Sequence, residues 1–339
     1  MKTLFTIIIV LFLFASSEAK VVYLNNELSA PVISENLYTN WADAYAAVSA
    51  GDTIYVYGSN FDHGHVSISK RLTIIGPGYF LDENLETQVE KKMALFNSIS
   101  LETGSDGSVF MGVSLTSNVY GIKFNNIVEN ITIAKCYISN ISFTIYNEYV
   151  YNNIIIKGCY FYSRLDANNN YNGVLSNLVF ANNIINGSFS VNEGSSGIIS
   201  NNIFLHNTLN FGTSSSFEIY NNIFLNTNTN NFTIQPLPDA AVHHNISLTG
   251  AFGNDNNNFI APLSTLFNTD ENASTDAKYQ LSQNSPAKGA GSNGSDIGAF
   301  GGPVPYRLSG LPNLPNIYEL STTGLVSGDV LPVHIKIKQ

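Results

Sequence analysis

Seven short segments recur along the middle of the chain at a spacing that fixes its architecture before any local structure is considered. Gly112-Val113, Cys136-Tyr137, Cys159-Tyr160, Asn183-Ile184, Asn202-Ile203, Asn222-Ile223 and Asn245-Ile246 begin 24, 23, 24, 19, 20 and 23 residues apart. Self-similarity at a period of about 20–50 residues marks a solenoid, with one turn per step. Three residues before each segment stand Val109, Ile133, Ile156, Phe180, Ile199, Ile219 and Val242, all large and apolar. One residue after each segment's first position stand Val113, Tyr137, Tyr160, Ile184, Ile203, Ile223 and Ile246, all β-branched or aromatic. Both columns are expected to form continuous interior stripes. Between them, Phe110, Ala134, Lys157, Ala181, Ser200, Tyr220 and His243 are mixed in character and are expected to face outward.

Strands of three to five residues separated by Asn, Gly and Ser suit β-propensity and turn chemistry, whereas helical repeats need long runs of good helix formers. No Pro lies between Pro77 and Pro236, so the ladder donors of the repeat region are intact. The predicted fold class is all-β, a parallel β-helix solenoid with a short N-terminal capping helix and an extended C-terminal tail. Stacked strands lie about 4.8 Å apart, so Asn183, Asn202, Asn222 and Asn245 read as an inward amide ladder along the axis. Cys136 and Cys159 occupy one column in consecutive turns and read as stacked buried thiols; a disulfide is the competing reading.

The ends need covers, because a solenoid exposes strand edges there. Trp41 to Val48 reads as a capping helix, followed by strands over Thr53 to Tyr57, Val66 to Ser69 and Leu72 to Ile75 as the first turn. Residues 81–92 carry the densest charge and are expected to leave the solenoid as a solvated loop. The columns fade from about Ala251, and residues 285–302 form a Gly-rich closing segment. From Pro303, which opens a stretch holding five of the eleven prolines, an extended tail is expected to end in a strand over Leu331 to Lys338 and to pack back on the last turns.

Lys2, the apolar run Leu4 to Phe14 and the small residues of Ser17-Glu18-Ala19 read as a signal peptide, too short to span a bilayer. The expected organisation is therefore a signal peptide over 1–19, a β-helix domain over 20–302 and a Pro-rich tail over 303–339, in a protein secreted or held at the outer cell surface without a transmembrane segment. Charged residues make up only 12% of the chain and the formal charge is −10, which argues against nucleic acid as a partner. Hydrophobic residues at 44% exclude disorder.

Gly51-Asp52-Thr53-Ile54 with Leu72-Thr73-Ile74-Ile75-Gly76-Pro77-Gly78-Tyr79 resembles the opening turn of the right-handed parallel β-helix, or pectate-lyase-like, superfamily. Ser285-Pro286-Ala287-Lys288-Gly289 and Asp296-Ile297-Gly298-Ala299 resemble a closing motif of its secreted bacterial members. The tail Pro305 to Pro312 resembles a segment of uncharacterised exported Bacteroidetes-type proteins. The resemblance implies a right-handed coil and leaves chemistry open, since the superfamily includes lyases, hydrolases, esterases, tailspikes and adhesins.

A lyase site needs a base and a cation or basic side chain beside the uronate carboxylate, which in the family is calcium held by carboxylates with a nearby Arg or Lys. Lys157, Arg164 and Asp166 are the nearest grouping, and a solvated loop is the alternative for them. Glu193 and Glu218 are scattered acids, and no Asp-Asp pair or Arg-X-Lys element of the hydrolases occurs. His63 with His65, and His243 with His244, each lack a third metal ligand in sequence, so no metal and no cofactor is expected, calcium entering only with the lyase. Non-catalytic carbohydrate binding asks for aromatic faces and amides, and Tyr120, Tyr137, Tyr160 and Tyr162 are candidates, with ordinary packing as their other reading. The expected function is thus glycan binding or surface interaction without catalysis, the alternatives being a polysaccharide lyase and a structural surface spacer. A polysaccharide or cell-surface glycan is the expected partner.

Overall fold

The computed structural model describes residues 19–28, 35–117, 121–143, 149–167, 173–205, 209–212, 214–226, 232–233, 241–322 and 331–338. Among them, short strands stack in parallel into two long sheets, one of eleven strands and one of fifteen. The chain crosses from the first sheet to the second once per turn, as the repeat demands. The first sheet runs from Leu37–Tyr38 through Val21–Leu24, Thr53–Val56, Thr73–Ile75, Val109–Met111, Thr132–Ala134, Ile155–Lys157, Leu178–Ala181, Ser196–Ser200 and Ser216–Tyr220 to Val242–His243. The molecule is therefore a parallel β-solenoid. No helix among the described residues is long and apolar enough to cross a membrane.

The inner file of the first sheet is Phe110, Ile133, Ile156, Phe180, Ile199, Ile219 and Val242, each buried in one continuous core. Val109, expected in this file, lies one place outside it, because Ile133 pairs with Phe110 and Thr132 with Val109. The slip has a backbone cause. The corner after each strand needs one residue in the left-handed region, and Gly112 (φ 66°), Lys135 (φ 53°), Gly158 (φ 63°), Asn182 (φ 55°), Asn201 (φ 54°), Asn221 (φ 57°) and His244 (φ 53°) supply it turn by turn. Gly112 thus aligns with Lys135, and the outward file carries Met111 in place of Phe110.

One residue past that corner comes the amide file. The Oδ1 atoms of Asn202, Asn222, Asn245 and Asn258 each accept both the backbone N–H and the side-chain amide of the Asn one turn before, at 2.9–3.1 Å. Each side-chain amide also reaches a strand carbonyl, as Asn202 does to Phe180 at 2.8 Å. The file runs one turn beyond Asn245, since Asn258 precedes the strand Phe259–Ile260. Upstream, Cys136 and Cys159 continue it as free buried thiols, and the Cys159 backbone N–H donates to Asn183 Oδ1 at 2.9 Å. Burial pushes the Cys159 thiol well up from its ordinary value.

The next column departs from expectation. Tyr160, Ile184, Ile203, Ile223 and Ile246 are buried, yet they face out of the solenoid into a second hydrophobic cluster with Leu266, Ala287, Ile297, Ala299 and Tyr306. The cover is residues 261–315, an irregular strap that runs back along the solenoid toward its N-terminal end. The corner residues hold it in order. Asn221 bonds Ser292 and Ser295, Asn201 bonds Asp296, Asn182 bonds Ala299 and Gly301, and Lys135 Nζ bonds Leu311 and Asn313. The tail beyond Pro303 accordingly lies against early turns, not the last ones, with Tyr79 N–H donating to Ser309 O at 2.8 Å.

At the front, Asn40 caps the helix Trp41–Ala47 by accepting from the Asp43 N–H at 3.0 Å, and Trp41 packs edge-on against Phe96 at 5.5 Å. The solenoid begins one strand earlier than the expected first turn, since Val21–Leu24 pairs with Thr53–Val56. Residues 81–92 leave the sheets, but Leu81 and Thr87 are buried. Asn84 reaches the buried carboxylate of Asp276, which also accepts from Ser274, Tyr306 and the Ser309 N–H. The excursion is thereby clasped to the strap. Strands Asn316–Thr322 and Val333–Lys338 close the chain as an antiparallel ribbon, tied back by Lys338 to Glu86 at 2.7 Å.

Candidate functional site

Alternation along each strand puts every second residue of the first sheet outside. Its outward file reads Tyr23, Tyr55, Ile75, Met111, Ala134, Lys157, Ala181, Ser200, Tyr220 and His243, set in line by strand pairing. The strap runs beside this face because the corner residues anchor it there. Sheet and strap together enclose a groove of about 660 Å³ toward the C-terminal end. Its floor is Lys157, Ala181, Ser200, Tyr220 and His243, and its wall is Ser292, Asn293, Ser295, Gly302, Pro303 and Val304.

The Tyr220 and His243 rings stack at 5.2 Å with an interplanar angle of 11°. Glu218 Oε1 sits 3.3 Å from His243 Nε2, which fixes the imidazole plane, and His243 Nδ1 lies 2.9 Å from His244 Nδ1. That contact needs one ring as donor and the other as acceptor. Partial burial, and then the charge of His243, lower the His244 pKa, so the two rings resist carrying charge together. The groove therefore offers a flat aromatic surface, seryl hydroxyls, the exposed amide of Asn293, one ammonium and one carboxylate. Such a set has the chemistry to stack on and hydrogen-bond a neutral polyhydroxyl molecule. Among the described residues that line it, Glu218 is the one carboxylate, whereas acid–base cleavage of a glycosidic bond uses a pair.

Lys157 lines this groove, while Arg164 and Asp166 lie on the strand Tyr160–Asp166 of the second sheet, with Arg164 Nε 3.7 Å from Asp166 Oδ2. The structure thus separates Lys157 from the other two. Pairing places Lys123 in the outward file of Asp166, two strands away across Ser142. Tyr137 and Tyr162 stack at 4.8 Å, and Tyr137 and Tyr160 at 5.9 Å. Tyr160 is buried beneath Phe80, and burial raises its pKa well above the ordinary phenol value. Its face is spent on the strap's second core. Tyr120 lies outside the described residues.

His63 packs on Phe96 at 4.9 Å, and burial lowers its pKa to about 4. His65 has a different partner, its Nδ1 lying 2.6 Å from Ser98 Oγ. Among the described residues, no group of three or more His, Cys, Asp or Glu could hold a metal ion. Sequence reasoning placed Tyr220 and His243 in the outward column without reading them as a site. The available signal was two consecutive flat rings directly after the small residues Ala181 and Ser200 of that column. No family model, curated protein or solved structure matches the chain.

Proposed function

We propose that this protein is an exported or cell-surface β-solenoid that binds a glycan without cleaving it, in the groove between the first sheet and the strap. The observation that carries the reading is the stacked Tyr220–His243 pair on the floor of a groove whose other groups are mostly hydroxyls and amides, with little charge. Sugars present apolar C–H faces and rings of hydroxyls, which ask for those two kinds of contact. The apolar run Leu4 to Phe14 with Ser17-Glu18-Ala19, read as a signal peptide, supports export.

The test is a panel of neutral and acidic polysaccharides assayed for retention on the purified protein and for new unsaturated ends. Retention without products is expected, and Tyr220→Ala should weaken it about tenfold, the upper range of an aromatic stacking contribution. Unsaturated ends, calcium-dependent or not, would establish the lyase alternative. Absence of retention across the panel would leave the spacer.

A further inference from the structure

We infer that the groove at Tyr220 is one end of a longer shelf, that Tyr23, Tyr55 and Tyr57 form a second sugar-stacking subsite at its other end, and that the preferred ligand is a linear, uncharged glycan long enough to reach both. The inference rests on the glycan reading of the groove. Tyr55 and Tyr220 belong to one outward file, and the pairing that connects them passes through seven strand-to-strand steps. At about 4.8 Å per step the two rings are about 34 Å apart along the axis.

The three tyrosines form a compact cluster, with ring centroids 6.1 Å apart for Tyr23–Tyr55, 6.2 Å for Tyr23–Tyr57 and 5.6 Å for Tyr55–Tyr57. Tyr23 is 40% and Tyr57 43% exposed, so ring surface is open to a ligand. The same strap walls both ends. Pro303 and Val304 border the groove at Tyr220, and Leu311, Pro312 and Pro315 border a shallow crevice of about 10 Å³ at Tyr55, so a sugar there would lie on the exposed rings and not in a pocket.

The shelf between is nearly uncharged. Ile75, Met111, Ala181, the recessed Ala134 (1% exposed) and Ser200 fill the outward file, with Lys157 its only charged member before Tyr220. In the neighbouring file Thr53, Thr73 and Thr132 stand half-exposed toward the Tyr55 end, and Val109, Ile155, Val179 and Ile198 make the rest of it apolar up to Glu218 beside Tyr220. Ring clusters at the two ends of a mostly apolar floor with one strand period suit a polymer of identical units, whose sugar faces are apolar, laid along the axis. Linking two weak subsites through one chain makes the second contact intramolecular and can raise affinity about 10²–10⁴-fold.

The experiment is titration calorimetry of the full chain with uncharged gluco-, manno- and xylo-oligosaccharides from dimer to decamer. For the series that binds, short oligomers should bind weakly at the Tyr220 end. Affinity should then rise at least about thirtyfold once the chain spans about 34 Å. Tyr55→Ala and, separately, the exposed Tyr57→Ala should remove that rise, whereas Tyr55→Phe keeps it. Tyr220→Ala should weaken every length. Short-oligomer binding with no step in length, or a step that survives both Tyr55→Ala and Tyr57→Ala, overturns this inference and leaves the groove reading standing. Binding of none of the series overturns it together with any neutral-glycan role for the groove. Glycan-free self-association abolished by Tyr57→Ala, read by sedimentation, would assign the tyrosines to a second copy of the chain and overturn it as well.

Discussion

At the scale of single residues, the triplet Asn-Asn-Ile at 182–184, 201–203 and 221–223 does three different jobs in three consecutive positions. The first Asn takes the left-handed corner and sends its side chain to the strap, the second enters the buried ladder, and the Ile turns outward under the strap. Removing a ladder amide strands backbone groups that water cannot reach. Asn202→Ala leaves the Asn183 N–H without its acceptor and the Phe180 carbonyl without the amide it receives. Each orphaned buried group costs about 1–3 kcal/mol, so chemical denaturation should show a loss of about 3 kcal/mol or more. His63 gives a pH dependence of known sign. Its folded pKa, about 4, lies below the unfolded value near 6.5, so the unfolded chain takes up the proton first. Stability from this residue is full above about pH 6.5, falls as pH drops through the window down to about 4, and is gone below it. Thermal melts across that window should fall less steeply for His63→Phe than for the parent chain.

At the scale of elements, the strap is held by shape as much as by hydrogen bonds. Gly298 has φ 98°, and a Cβ there would stand 2.8 Å from Ile223 Cδ1, while its N–H donates to Asn221 O at 2.8 Å. A side chain at this point is strained in backbone and blocked in space. Gly298→Val should lift the strap from the Ile203–Ile223 file, cost about 2–4 kcal/mol, and open residues 285–302 to limited proteolysis while the ladder stays protected from amide exchange. Equal protease resistance in the variant and the parent would show that the strap does not depend on this close approach. The uncovered isoleucines would form a continuous apolar stripe, a surface that promotes aggregation.

At the scale of the whole molecule, the strap makes the solenoid less one-dimensional than stacking alone would. A bare solenoid joins each turn only to its neighbours, but here Ser309 meets Tyr79 and Ser292 meets Asn221 along one segment, tying early and late turns together. The period of the chain was enough to set the parallel stacking, the inner file from Ile133 to Val242 and the amides that stack, because a coil must present the same environment at the same place every turn. It misplaced one turn, since the Gly112 corner aligns by φ with Lys135 and not by residue size with Cys136. Periodicity could not say which of two apolar columns faced inward, nor that Tyr160 would be buried and Tyr220 left open to a groove. Those outcomes depend on the strap, whose contacts join residues about 70 to 230 positions apart with no repeat to announce them. Local pattern fixes what must recur, and only the folded chain decides what an aperiodic segment covers.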